Sequence, residues 1–98
     1  MTVSVTPRNL IASAKTWDFE VTLETHTRPL DEDLAKSSRL IGDGIGYSPT
    51  GWEGTLPGGH HRKGLLHFKG ISPQPQYVEL EIRLRGEPAP RSFRWPLK

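Results

Sequence analysis

The chain contains no cysteine. Disulfide bonds, thiolate zinc sites and cysteine nucleophiles are therefore excluded. The compartment does not follow, because many extracytoplasmic bacterial domains also lack cysteine. Long apolar runs are missing too, and none approaches the roughly 18 residues that a membrane helix needs. The start, Met1-Thr2-Val3-Ser4-Val5, lacks a basic stretch followed by an apolar one, so no signal peptide is visible. On these residues the chain is cytoplasmic or a domain of a longer precursor. No internal repeat and no low-complexity tract is present.

What is present suits one small domain. The 98 residues include 10 glycines and 9 prolines, a mix that fits many short strands joined by turns. Charge is unevenly spread: residues 1–59 carry five Lys/Arg against eight Asp/Glu, and residues 60–98 carry eight against three. A basic half attracts nucleic acid or anionic surfaces, but arginines on the solvent face of strands give the same composition. The second reading is preferred.

The strongest pattern is period-two alternation, which places successive side chains on opposite faces of a strand. In Trp17-Asp18-Phe19-Glu20-Val21-Thr22-Leu23-Glu24 every odd residue is apolar. Val78-Glu79-Leu80-Glu81-Ile82-Arg83-Leu84-Arg85 repeats the pattern, and Ser92-Phe93-Arg94-Trp95-Pro96-Leu97 does so again. Weaker signals add Val3 and Val5, Leu66 and Phe68, and two short runs around Gly42-Asp43-Gly44, a tight-turn signature. The spacing predicts seven strands, at 2–6, 16–25, 38–42, 45–48, 64–69, 77–85 and 91–97. Asp31 is the expected cap of a short helical turn with Leu30 and Leu34 as its staple. The expected fold is an all-β, immunoglobulin-like antiparallel sandwich in which 49–63 makes a Greek-key connection. Trp17, Phe19, Phe68, Phe93 and Trp95 are its expected core.

Seven antiparallel strands have a topological consequence. The connections after the second, fourth and sixth strands (26–37, 49–63 and 86–90) fall at one end, here the loop end. That end gathers His26, His60 and His61 with Asp31, Glu32, Asp33 and Glu53, and such loop clusters commonly carry binding.

The run Trp52-Glu53-Gly54 … Pro57-Gly58-Gly59-His60-His61-Arg62-Lys63-Gly64 … Phe68, after Glu24-Thr25-His26-Thr27 and before Phe93-Arg94-Trp95-Pro96-Leu97, resembles a group of small uncharacterised bacterial β-sandwich proteins. These are often exported or lipid-anchored. The resemblance spans nearly the whole chain, its most specific part being the Gly-Gly-His-His loop. It implies an envelope-associated sandwich with a protein or envelope component as partner, and it carries over no functional residue.

Three kinds of site remain to be weighed. His60 and His61 in a glycine-flanked loop can chelate together, with ring nitrogens roughly 2.0–2.1 Å from a zinc-type ion. His26 with Asp31, Asp33 or Glu53 can complete the set, and such ligands suit zinc or copper. The spacing matches no recognised zinc motif, and histidines that merely hold a long loop in shape are the favoured alternative. A hydrolytic set of His26, His60 and Asp31 with Ser48 or Thr50 lacks a nucleophile elbow or any equivalent setting, so no catalytic residue is assigned and the chain is read as non-enzymatic. His67 is expected to be an ordinary surface residue. Gly42-Asp43-Gly44-Ile45-Gly46 lacks the Lys-Ser/Thr of a phosphate loop and reads as a turn.

The basic set Arg62, Lys63, Arg83, Arg85, Arg91 and Arg94 forms a candidate binding face, with Trp52 and Glu53 in the neighbouring loop. Nucleic-acid grooves interleave such charge with exposed aromatics. Only Tyr77 shares this face, and Glu79 and Glu81 are placed to pair with the arginines. Nucleic acid is thus the weaker choice, and a partner-facing surface the stronger. Pro7 and Pro96 interrupt edge ladders, which points to a monomer or weak dimer.

Overall fold

The computed structural model describes residues 2–11, 13–25, 33–54 and 61–97. Alternation becomes strand pairing along most of that length. The described residues form β1 (Thr2–Pro7), β2 (Thr16–Glu24), a single helical turn α1 (Leu34–Ser37), β3 (Ser38–Gly42), β4 (Ile45–Tyr47), β5 (Gly51–Gly54), β6 (His61–Lys69), β7 (Tyr77–Ile82) and β8 (Arg91–Pro96). They build two antiparallel sheets of four strands, ordered β1-β2-β6-β5 and β4-β3-β7-β8. The molecule is an all-β sandwich.

The inner faces hold the residues that periodicity selects. Trp17 pairs with Phe68 and Phe19 with Leu66 across β2 and β6, while Leu40 pairs with Leu80 across β3 and β7. All six are fully buried. Phe19 bridges the layers, with its ring centroid 5.6 Å from Phe68 in its own sheet and 5.2 Å from Trp95 in the other. Burying each large apolar side chain contributes roughly 1.5–3 kcal/mol, so this row holds the two sheets together.

Eight strands form where seven were expected, and the added one is β5. Its four residues sit inside the long 49–63 connection, and two of them are glycine, which hid the alternation. After β4 the chain crosses from one sheet to the other within 48–50, and Gly51–Gly54 then pairs with β6. The pairing needs glycine at one point. Gly54 and Gly64 lie opposite one another beneath the Trp52 indole, and a Cβ on Gly64 would fall 2.7 Å from Gly54 Cα and 2.8 Å from Trp52 Cζ2. No side chain fits between the strands there.

Other boundaries move for local reasons. β6 begins at His61 rather than 64, and β7 ends at Ile82 rather than 85 because both its neighbours begin opposite Ile82, at Ser38 and Arg91, before the chain turns at Arg85-Gly86, Gly86 having φ +83°. The cap of α1 is Asp33, not Asp31: it is extended (φ −86°, ψ 100°) and its Oδ1 accepts from the Ala35 amide at 3.1 Å. Asp31 and Leu30 lie outside the described residues. At the β3–β4 turn, Asp43 and Gly44 have φ +50° and +82°, the double positive φ of a tight hairpin.

Candidate functional site: a basic basin at the loop end

Strand pairing decides which ends meet. Glu24 at the end of β2 lies opposite His61 at the start of β6, and Ile82 at the end of β7 lies opposite Ser38 at the start of β3. β2, β5 and β7 therefore finish at the same end of the sandwich, where β3, β6 and β8 begin. Of the connections there, 26–32 and 55–60 lie outside the described residues.

At this end a basin of about 290 Å³ opens on the outer surface of the second sheet. Its wall includes Lys36 and Ser37 from α1, Ser38 and Arg39 from the start of β3, and Glu81 and Arg83 from the end of β7. The local fold explains the gathering. The Arg83 amide donates to the Ser37 carbonyl at 2.8 Å, extending the β3–β7 ladder by one step and setting Arg83 beside the helical turn. Arg39 and Glu81 are register partners, and an Arg39 Nη2–H donates to Glu81 Oε1 at 3.4 Å.

Three cations and one carboxylate thus face the basin. Among the described residues neither Lys36 nor Arg83 has an ion-pair partner. The Ser37 and Ser38 hydroxyls are buried and make no hydrogen bond. Ser48, one of the residues weighed as a nucleophile, also lines this wall, with no histidine among its neighbours in the lining.

A second polar cluster lies on the outer face of the first sheet, and single-strand reasoning missed it. His67 sits between Asp18 and Glu53: Nδ1 is 2.6 Å from Asp18 Oδ1, and Nε2 is 2.8 Å from Glu53 Oε1. Far from being an ordinary surface residue, His67 is largely covered, its side chain keeping 19% exposure. A neutral imidazole donates from one nitrogen only, so both contacts are satisfied by the imidazolium. The Asp18 hydrogen bond raises the His67 pKa above its ordinary value; partial desolvation opposes this, and Glu53 adds to it. No sequence spacing links these three residues, because they come from β2, β6 and β5.

The residues singled out from sequence that are described are dispersed. His26, His60 and Asp31 lie outside the described residues. His61 is on the outer face of β6, with Nδ1 3.2 Å from Glu24 Oε1, and among the described residues no group of three or more His, Asp or Glu is arranged to hold a metal. Arg62 leaves the basic face altogether. It points inward, is 1% exposed, and its guanidinium lies 5.6 Å from the Trp52 ring centroid. Trp52 is half-buried on the same inner side, whereas Glu53 points outward to His67.

The face of β7 and β8 is largely self-paired. Arg94 Nη2 donates to Glu79 at 3.2 Å, and its guanidinium lies 4.5 Å from the Tyr77 ring centroid. Arg91 grips Glu87 through two bonds of 3.0 and 2.9 Å, which raises the Arg91 pKa. Arg85 lies in the exposed turn after β7. Arg83 alone of the three outward arginines, Arg83, Arg85 and Arg94, reaches the basin.

No family model, no curated protein sequence and no solved structure matches this chain.

Proposed function

We propose that this chain is a non-enzymatic, immunoglobulin-like binding module that engages its partner through the loop end. The strand order supports the fold reading: β1-β2-β6-β5 corresponds to the ABED sheet of a constant-type immunoglobulin domain, and β3-β7-β8 to its CFG sheet, with β4 added beside β3. The observation that carries the functional reading is the basin. It is concave, polar and cationic, and lies where β7 finishes and β3 and β8 begin. Rigid sandwiches commonly present binding groups in that position.

The likeness to exported and lipid-anchored bacterial sandwiches favours a partner in the cell envelope. Amide chemical-shift mapping with solubilised bacterial envelope fractions tests this. Shifts concentrated at 33–39, 48–54 and 81–90 are the expected result. Shifts confined to 8–15, 42–46 and 69–76, at the opposite end, would overturn it.

A further inference from the structure

We propose that the basin is a binding site for a tetrahedral oxyanion, a phosphate or sulfate group, held by Lys36 and Arg83 with the hydroxyl of Ser37. This rests on the loop-end reading above and gives it a ligand chemistry.

Two independent observations meet at one place. The first is charge. Lys36, Arg39 and Arg83 face the basin against the single carboxylate of Glu81, which is engaged by Arg39. Elsewhere on this sheet and the turn beside it the arginines are neutralised by partners, as Arg94 is by Glu79 and Arg91 by Glu87. Among the described residues, Lys36 and Arg83 are thus the cations of this neighbourhood that no carboxylate engages.

The second observation is the Ser37 hydroxyl, which is buried and has no hydrogen-bond partner; Ser38, opposite Ile82 in the register, turns its own hydroxyl to the inner face. Buried hydroxyls are nearly always bonded, and one left unmet is costly. Ser37 lies in the basin wall. A rotation about χ1 lets its hydroxyl donate to an oxygen seated there, while guanidinium and ammonium donors supply the charge-assisted bonds that phosphate and sulfate favour. A tetrahedral anion offers acceptors in several directions at once, which fits donors arriving from α1, β3 and the end of β7. Its size also suits a space of about 290 Å³ with room left for bridging waters. A planar carboxylate would satisfy fewer of these donors together.

The alternative location is a basin of about 330 Å³ at the opposite end, lined by Lys15, Lys69, Ile71 and small residues. No buried, unbonded hydroxyl marks it.

The test is a titration of the whole chain with inorganic phosphate, followed by amide shifts and calorimetry, against sodium chloride at matched ionic strength. Saturable shifts at 36–39 and 81–84 are expected with phosphate and not with chloride. Arg83→Gln and Lys36→Gln should each weaken binding about tenfold, the scale of one lost charge-assisted bond, whereas Arg94→Gln should leave it unchanged. Arg83 and Lys36 are exposed, so these substitutions do not threaten the core. Ser37→Ala, checked for folding by its melting temperature, should weaken phosphate binding several-fold.

Parallel arms with sulfate and glycerol 2-phosphate separate the sources. Tighter binding of the ester assigns the site to an esterified phosphate, and tighter binding of a free ion assigns it to that ion. Shifts confined to 13–15 and 69–72, equal effects of chloride, or undiminished binding by Arg83→Gln and Lys36→Gln would overturn the proposal. Envelope fractions that still shift the loop end in that event would leave the binding-module reading standing and remove only its oxyanion chemistry.

Discussion

His67 and Asp18 stand directly opposite one another on β6 and β2, and the His67 Nδ1–H donates to Asp18 Oδ1 at 2.6 Å. With Glu53 on the other ring nitrogen, the pair forms a three-strand tie across β2, β6 and β5. It fastens the short edge strand β5, which has only four residues of ladder, to the centre of its sheet.

This tie makes stability depend on pH in a defined direction. The folded pKa of His67 is raised, so its contribution is fully present below the unfolded histidine value of about 6.5 and is lost as pH rises through the folded value. The advantage of the native chain over His67→Gln in urea denaturation should thus be larger at acidic than at alkaline pH. An NMR titration of the ring should place its midpoint above the ordinary value, and Asp18→Asn should lower it more than Glu53→Gln, since Glu53 is 77% exposed. A midpoint indifferent to Asp18→Asn would contradict the arrangement.

Gly64→Ala addresses β5 from the inner side. The added methyl meets Gly54 Cα and the Trp52 indole at distances under 3 Å, so strand or ring must move. Overpacking of this kind costs about 1–3 kcal/mol. Guanidinium denaturation should show that loss, together with a change in Trp52 fluorescence. Gly51→Ala, where a Cβ meets nothing within 4 Å, is the control and should be much milder.

Phe19→Ala should be among the most damaging single changes. The ring is fully buried and touches Phe68 and Trp95, so its removal opens a cavity between the layers. The expected loss is about 3–5 kcal/mol by chemical denaturation. A loss below about 1 kcal/mol would mean that the sheets do not pack through this residue.

Asn9 holds the β1–β2 connection. Its Nδ2 donates to the Thr16 carbonyl at 2.6 Å and its Oδ1 accepts from the Asp18 amide at 2.8 Å. Losing two such bonds at a half-buried site costs about 1–3 kcal/mol in all. Asn9→Ala should lower stability by that amount, and Asn9→Asp, which keeps only the acceptor, should fall between. Faster amide hydrogen exchange at Asp18 would locate the effect.

Much of the architecture was legible along the chain, for a simple reason. A strand with one wet face must alternate, and Trp17–Leu23 and Val78–Ile82 alternate without exception, so their inner faces were readable residue by residue. The Asp43-Gly44 turn was legible because positive φ restricts the residues that can occupy it. β5 was not, since Gly51 and Gly54 leave no pattern in a segment of four. Arg62 reads as a surface residue when its strand is started at 64, three residues after its actual beginning. The strand that begins at His61 turns Arg62 inward and His61 outward.

The candidate site shows the same division. The sequence alone determined the all-β class and the inward rows, because both depend on local periodicity. Only the tertiary structure decided what meets across strands. Asp18, Glu53 and His67 are brought together by strand register, and Lys36, Ser37 and Arg83 by the backbone bond that joins the end of β7 to α1 one step beyond the β3–β7 register. Register depends on the summed fit of whole faces rather than on any one residue, which is why neither cluster leaves a spacing that can be read along the chain.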